Sequence, residues 1–165
     1  MKFISFNHDN SEKFGIIENN LITDLTGKID GASSLKELIK IKKIKEAKEY
    51  AKSNPGSIKP DEIKYSPLIP NPGKIICVGL NYSEHVKETN RTVEENPVIF
   101  HRFPESQTAH MQAIQRPTVS ESLDFEGEMA VVMDEGGKHI KPEEALKHIV
   151  GFSCYNESTI REWQR

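Results

Sequence analysis

The sequence has no long apolar run and no excess of basic residues. No stretch of the 165 residues approaches the roughly 18 apolar residues that would cross a bilayer, and the N-terminal "MKFISFNHDN" lacks the apolar segment of a secretory signal. Lys and Arg number 22 against 25 Asp and Glu, giving a formal charge of −3, so a nucleic acid is not an expected partner. These absences predict a cytoplasmic protein that binds neither membranes nor nucleic acid.

Cysteine is also scarce. The two cysteines, Cys77 and Cys154, lie far apart inside the apolar stretches "KIICVG" and "VGFSCYN". Because no CxxC or Cys/His spacing is present, a zinc site is not indicated. We expect two buried, reduced thiols in a reducing compartment.

The first 70 residues have the composition of a small α+β domain. "KFISF" and "FGIIE" are typical of short strands, and the two asparagines of "ENNLI" indicate a hairpin turn. Ser34 and Glu37 form a capping-box pair before a helical stretch, and a second helical stretch ends at residues 54–56, "NPG". Four prolines between residues 60 and 72 then predict a boundary near residue 70. We therefore divide the chain into domains 1–70 and 71–165.

The second part alternates predicted strands with short helices. "KIICVG", "PVIF" and "VGFSCYN" are apolar runs of strand length, whereas "NYSEHVKE" and "KPEEALKHI" have helical composition. The second of these begins with a proline and acidic residues, as helix N-termini commonly do. The overall fold class predicted is α+β.

The stretch "DFEGEMAVV" reads as a strand that carries a carboxylate at every second position. Side chains alternate across a strand, so Asp124, Glu126 and Glu128 share one face, and an apolar face expected in the core lies opposite. Carboxylates roughly 7 Å apart repel by about 2 kcal/mol at an effective dielectric near 20. One interpretation is a solvated face of an antiparallel sheet. The other is a divalent metal held by Glu-x-Glu oxygens, which favour Mg²⁺, Mn²⁺ or Ca²⁺ over zinc.

A histidine and a glutamate in "NYSEHVKE" form a candidate reacting pair. His85 and Glu88 are three residues apart, so they share a face of a helix. A carboxylate beside an imidazole fixes its tautomer and raises its basicity, which suits a general base. The alternative is a surface histidine with an incidental acidic neighbour.

Four ordered blocks carry a resemblance to a known family. They are "KIICVGLNYSEHVKE", "PVIFHRFPESQ", "RPTVSESLDFEGEMAVVM" and "EEALKHIVGFSCYNESTIREWQR", spanning about Lys74 to Arg165. In this order they resemble the fumarylacetoacetate hydrolase family. The resemblance implies a mixed β-sandwich roll around a divalent metal, preceded by a small and variable N-terminal α+β domain.

The resemblance also implies a metal site made of carboxylates. Glu126 and Glu128 match two metal ligands of the family, and the third is an aspartate in a block that reads "NESTIREWQ" here, so Glu157 occupies its position. The implied ion is Mg²⁺ or Mn²⁺, with Ca²⁺ as a further candidate from the all-oxygen ligand set.

Catalytic and substrate-binding positions follow from the same resemblance. His85 matches the catalytic base of the family and Glu88 its partner. Gln164 falls where some members contact substrate, and Arg102 is a weaker candidate for binding a substrate carboxylate.

The implied function is an enzyme that acts on short 2-oxo or 1,3-diketo acids. The first hypothesis is a divalent-metal-dependent hydrolase of C–C bonds, of the acylpyruvate or fumarylpyruvate type. The alternatives are an isomerase or decarboxylase of 2-oxo acids, of the oxaloacetate or 2-hydroxyhepta-2,4-diene-1,7-dioate type, or a truncated relative that binds without catalysis. Because the family continues beyond the "REWQ" block, we expect residues 71–165 to be the first half of the catalytic domain. Family members are commonly dimeric, so a homodimer is expected.

Overall fold

The computed structural model describes residues 1–88 and 95–164, apart from the side chains of His85 and Glu88. Its strands are β1 Lys2–His8, β2 Ser11–Glu18, β3 Leu21–Asp24, β4 Lys64–Tyr65, β5 Ile75–Gly79, β6 Val98–Arg102, β7 Leu123–Asp124, β8 Gly127–Met133, β9 Ile149–Asn156 and β10 Thr159–Ile160. Its helices are α1 Leu35–Lys40, α2 Ile44–Ser53 and α3 Ser83–Glu88, with 3₁₀ segments at Pro60–Glu62, Pro104–Ser106, Pro142–His148 and Arg161–Trp163. The fold is therefore mixed α+β, with more strand than helix in the described part.

An antiparallel sheet in the order β3-β2-β1-β4 organises the N-terminal part. The predicted turn between β2 and β3 is confirmed, because Asn19 and Asn20 have φ values of 50° and 61°. Asparagine tolerates this left-handed region, and such turns match the twist of the paired strands. A second turn of this kind, at Asp9 and Asn10 (φ 52° and 58°), joins β1 to β2. It was not predicted, although the Asp-Asn pair carries the same signal.

Two short helices pack on this sheet as the sequence indicates. The hydroxyl of Ser34 accepts a hydrogen bond from the backbone N–H of Glu37 at 3.2 Å, which confirms the predicted cap of α1. Helix α2 ends at Ser53, directly before the predicted stop. The buried cluster beneath the helices comprises Phe14, Ile16, Leu25, Ile29, Ala32, Leu35, Leu38, Ile39, Ala47 and Ala51.

The N-terminal core also supports the second part of the chain. Val132 of β8 and Val150 of β9 pack against the buried cluster. At the surface, Nζ of Lys42 donates a 2.9 Å hydrogen bond to Glu135, just beyond β8. The C-terminal end of β8 is therefore held against the N-terminal core. The division into domains 1–70 and 71–165 stays a prediction.

The second part consists of antiparallel strand pairs: β5 with β6, β8 with β9, and β7 with β10. The predicted strands in "KIICVG", "PVIF" and "VGFSCYN" are confirmed as β5, β6 and β9. The helix predicted in "KPEEALKHI" is instead the 3₁₀ segment Pro142–His148. None of its residues is buried, so tertiary packing does not stabilise a regular α-helix there.

One face of the β8–β9 pair is apolar and exposed; we name it the outer face. Its β8 residues Met129, Val131 and Met133 are 60%, 42% and 51% exposed, and Phe152 of β9, paired with Val131, is 60% exposed. The prediction that this face belongs in the core is wrong for the described chain, because no described element covers it. The opposite, half-buried face carries Glu128.

The cysteine prediction is correct only in part. Both cysteines are free thiols, but Cys77 is half-buried and Cys154 is exposed. Cys154 pairs with Met129, so it belongs to the outer face. Within residues 1–88 and 95–164, no helix has the length and apolar character needed to span a bilayer.

Candidate active site

The carboxylate stretch is not the continuous strand that alternation predicted. Strand β7 ends at Asp124 and β8 begins at Gly127, so Glu126 lies between them. The backbone N–H of Glu126 donates to Oδ1 of Asn156 at 3.0 Å, and the N–H of Glu157 donates to the carbonyl of Glu126 at 2.9 Å. This break places two of the predicted site carboxylates on adjacent, hydrogen-bonded backbone segments.

Arg161 joins the carboxylates to the end of the chain. Its Nε and Nη2 lie 2.9 and 2.8 Å from Oδ2 of Asp124, and its Nη1 lies 2.6 Å from Oε1 of Glu126. Nη1 also donates to Oε1 of Gln164 at 2.9 Å. Sequence reasoning missed this residue because it lies 37 positions from Asp124. The pairing of β10 with β7 brings the two together.

Arg161 offsets the repulsion between the carboxylates that the sequence places close together. Partial burial alone would lower the pKa of Arg161, but the hydrogen bond with Asp124 and the charge of Glu126 raise it overall. A guanidinium presents several fixed donors and stays charged, so it can serve two carboxylates at once. The repulsion between Asp124 and Glu126 is therefore offset by a side chain of the protein itself.

Replacing Arg161 with glutamine is expected to lower the free energy of unfolding by about 1–2 kcal/mol. This lies between the values for exposed and buried ion pairs, because the side chains of Arg161 and Asp124 are 32% and 46% exposed and that of Glu126 is 18% exposed. Urea denaturation would measure the change. Lys147→Gln, at an exposed pair with Glu144 in the 3₁₀ segment, is the matched control and should change stability by less than about 0.5 kcal/mol. Equal losses in both variants would contradict this role of Arg161.

A second arginine holds Glu157. Nε of Arg102, in β6, donates to Oε1 of Glu157 at 2.5 Å, and Nη2 forms an ion pair with the same oxygen. Nη2 also donates to the carbonyl of Ser158 at 2.9 Å. Glu157 is 5% exposed as a whole residue. Burial raises the pKa of Glu157, and although Arg102 lowers it, the net direction is upward.

Glu128 lies on the half-buried face of β8, opposite Tyr155 of β9. Burial raises the pKa of Tyr155. Burial also raises the pKa of the Cys77 thiol, and the charges of Glu157 and Glu128 raise it further. Sequence reasoning missed Tyr155, although it lies two positions before Glu157, where strand alternation indicates a shared face.

The predicted metal ligands match a divalent cation in chemistry but not in their arrangement. They are all carboxylates, and Oε1 of Glu126 is a buried atom that forms an ion pair with Nη1 of Arg161 at 2.6 Å. Glu157, however, is bound to Arg102. In the part of the chain that the structure describes, no three His, Cys, Asp or Glu side chains form a group that could hold a metal ion. The site of Glu126, Glu128 and Glu157 stays a prediction.

The other predicted residues are only partly located. Gln164 contacts Arg161, so it joins the network that contains Glu126. His85 and Glu88 lie in α3, but their side chains are outside the described residues. Their predicted roles as base and partner therefore stay predictions. A backbone hydrogen bond brings Glu157 to Glu126, and Arg161 links Gln164 to Glu126.

Residues 74–165 match the family described as fumarylacetoacetate (FAA) hydrolase C-terminal. This match covers more than half of the 165 residues. The chain belongs to the fumarylacetoacetate hydrolase family. The resemblance noted in the sequence is thereby confirmed.

Several curated relatives of this family member are named oxaloacetate tautomerases. It is 37% identical over 118 residues to the mitochondrial oxaloacetate tautomerase of Xenopus laevis. The aligned residues cover 72% of this chain and 37% of that protein. It is 37% identical over 103 residues to a human mitochondrial oxaloacetate tautomerase, or 62% of this chain and 33% of that one. The matches thus span about a third of each curated relative.

Solved structures share the fold over nearly the whole chain. The fumarylacetoacetate hydrolase of Exiguobacterium antarcticum has a TM-score of 0.81 and 28% identity, and the match covers 99% of this chain and 58% of that one. Maleylpyruvate hydrolase of Sphingobium sp. SYK-6, solved with manganese(II) and pyruvate, has a TM-score of 0.78 and 18% identity, with coverages of 98% and 60%. At that identity the second comparison supports the fold alone.

Proposed function

We propose that this protein catalyses proton transfer at the carbon beside the 2-oxo group of a short 2-oxo acid, as a tautomerase or isomerase. The observation that carries the proposal is the 37% identity to oxaloacetate tautomerase over 118 residues. That span is longer than the matched family region, residues 74–165. The 37% identity is also higher than the 28% and 18% identities to the two hydrolases described above. The substrate expected is oxaloacetate or a dicarboxylate of similar size.

Tautomerisation requires a base, an acid and groups that bind the substrate anion. A base takes a proton from the carbon next to the carbonyl to give an enolate, and an acid then protonates the enolate oxygen to give the enol; in the reverse direction the carbon is protonated. His85, with Glu88 beside it in sequence, is the proposed base. Gln164, held by Arg161, is proposed to donate its amide N–H to a substrate oxygen. Arg102 is the proposed partner of a substrate carboxylate.

Hydrolysis of a C–C bond is the second candidate. It is supported by the 28% identity and common fold with the fumarylacetoacetate hydrolase of Exiguobacterium antarcticum. Both reactions pass through an enol or enolate of a 2-oxo acid, so the same binding groups serve either one. They differ in whether a water attacks a second carbonyl.

Two substrates distinguish the candidates. The ultraviolet absorbance of enol-oxaloacetate should decay at least about 100-fold faster with micromolar protein than in buffer, a modest effect for general acid–base catalysis. Acylpyruvate should persist under the same conditions. The reverse pattern would replace the tautomerase proposal with the hydrolase one. If neither substrate reacts, a relative that binds without catalysis becomes the better interpretation.

We further propose a divalent cation, Mg²⁺ or Mn²⁺, as cofactor and a homodimer as the assembly. The cofactor is supported by the carboxylate chemistry of Glu126, Glu128 and Glu157. The homodimer is supported by family resemblance, and light scattering of the purified protein should give twice the monomer mass. A monomer mass at micromolar concentration would contradict it.

A further inference from the structure

Glu157, the third predicted metal ligand, is already paired with the guanidinium of Arg102. Two nitrogens of Arg102 approach Oε1 of Glu157, and one of them also binds the carbonyl of Ser158. The Glu157 side chain is 6% exposed and that of Arg102 is 29% exposed. The pair is therefore largely removed from water, where charge-assisted hydrogen bonds are strongest.

The backbone holds Glu157 beside Glu126 while its side chain binds β6. The 2.9 Å hydrogen bond from the N–H of Glu157 to the carbonyl of Glu126 fixes the position of the residue. Arg102 approaches from a strand 55 residues earlier in the chain. The contact thus joins the β5–β6 pair to the segment between β9 and β10.

We propose that Arg102 competes with the divalent cation for Glu157, so that Glu157 becomes a metal ligand only when the guanidinium leaves it. A guanidinium and a metal ion that contact the same carboxylate oxygen would repel each other at short range. Metal binding at Glu157 therefore displaces Arg102.

This competition accounts for the mismatch between ligand chemistry and arrangement. With Arg102 bound, the described residues contain no three-ligand group. With Arg102 released, Glu157 stays beside Glu126 through the 2.9 Å backbone hydrogen bond, while Nη1 of Arg161 remains the counter-ion of Glu126. The proposal rests on the metal site of the proposed function, but it concerns binding of the ion alone.

Manganese binding without substrate tests the competition. Free Mn²⁺ would be measured by electron paramagnetic resonance, and heats of binding by calorimetry, for wild type, Arg102→Gln, Glu157→Gln and the double variant. Arg102→Gln should bind Mn²⁺ at least about tenfold more tightly than wild type, because loss of a hydrogen bond to a charged group is of that size. In the Glu157→Gln background the same substitution should change the affinity by less than about twofold.

Two further variants separate competition from simpler effects. Lys147→Gln removes one positive charge at an exposed pair and should leave Mn²⁺ affinity within about twofold of wild type. Arg102→Lys keeps the charge with fewer hydrogen-bond donors, so it should tighten Mn²⁺ binding less than Arg102→Gln. It also replaces Arg102→Gln as the test variant if that protein does not fold.

Three results would overturn the proposal. They are equal or weaker Mn²⁺ binding by the Arg102 variants, tighter binding that persists without the Glu157 carboxylate, and no binding by any variant. The outcome is independent of turnover. If the expected binding pattern is found but oxaloacetate is not tautomerised, the proposed function fails and the competition stands.

Discussion

Replacing His85 with asparagine is expected to lower the rate of oxaloacetate tautomerisation about 10²- to 10⁴-fold, the usual contribution of a positioned general base. Asparagine keeps a polar side chain of similar size but cannot accept a proton near neutral pH. The residue lies in the short helix α3, and its role comes from the family resemblance and the spacing to Glu88. The rate would be followed from the enol absorbance at saturating substrate.

The control is the same substitution at an exposed histidine. His139 is exposed and has a φ of 57°, which asparagine adopts readily. His139→Asn should therefore retain wild-type turnover and stability. Thermal unfolding of both variants would show whether the fold is intact. Equal turnover by His85→Asn and wild type, with equal stability, would remove His85 from the mechanism.

Local sequence signals predicted those elements that local interactions form. The turn at Asn19 and Asn20, the Ser34 cap and the end of α2 each depend on residues within a few positions of one another. Turn and cap preferences are properties of such short segments. The family blocks extended this success to strands β5, β6 and β9.

The contacts that complete the candidate site are long-range, and sequence reasoning did not find them. The stretch from Asp124 to Val132 contains no basic residue, which left water or a divalent metal as the candidates for offsetting its charge. The structure instead supplies Arg161 to Asp124 and Glu126, and Arg102 to Glu157. Partners separated by 37 and 55 positions meet only after the strands pair. The absence of a basic residue near the carboxylates in the sequence is therefore weak support for a metal site.

Side chains of β8 alternate as predicted, but the face that is covered is the acidic one and not the apolar one. Along β8, Glu128 and Val132 face one side and Met129 and Met133 the other, as predicted. The acidic side is the half-buried one, and Val132 on that side packs against the buried N-terminal cluster. A periodic pattern identifies two faces of a strand, but neighbouring elements decide which face is covered.

The N-terminal core provides the other large expected effect. Gly56 follows α2 and its backbone lies directly against that of β3. A Cβ atom at Gly56 would lie 2.1 Å from both the carbonyl carbon and oxygen of Ile22 and 2.4 Å from the nitrogen of Thr23. Only glycine permits so close an approach of two backbones. Main-chain atoms cannot move aside as a flexible side chain can. We expect Gly56→Ala to lower the free energy of unfolding by about 3 kcal/mol or more.

The effect should reach the active site as well as the core. To admit alanine, the segment must separate from β3, which would weaken the 2.8 Å hydrogen bond from Ile22 to Ile58 and the 3.2 Å bond from Thr23 to Asn54. Ile22 is completely buried. Because β8 and β9 pack on this core, loosening it removes support from the strand that carries Glu128.

Urea denaturation and turnover of the same samples would test this coupling. Gly73→Ala is the matched control, since a Cβ there meets nothing within 4 Å and the backbone needs no left-handed conformation. It should change stability by less than about 0.5 kcal/mol. Gly56→Ala should lose both stability and turnover at urea concentrations that Gly73→Ala tolerates. Wild-type stability of Gly56→Ala would refute the close approach, and lost stability with unchanged turnover would show that the site does not depend on the N-terminal core.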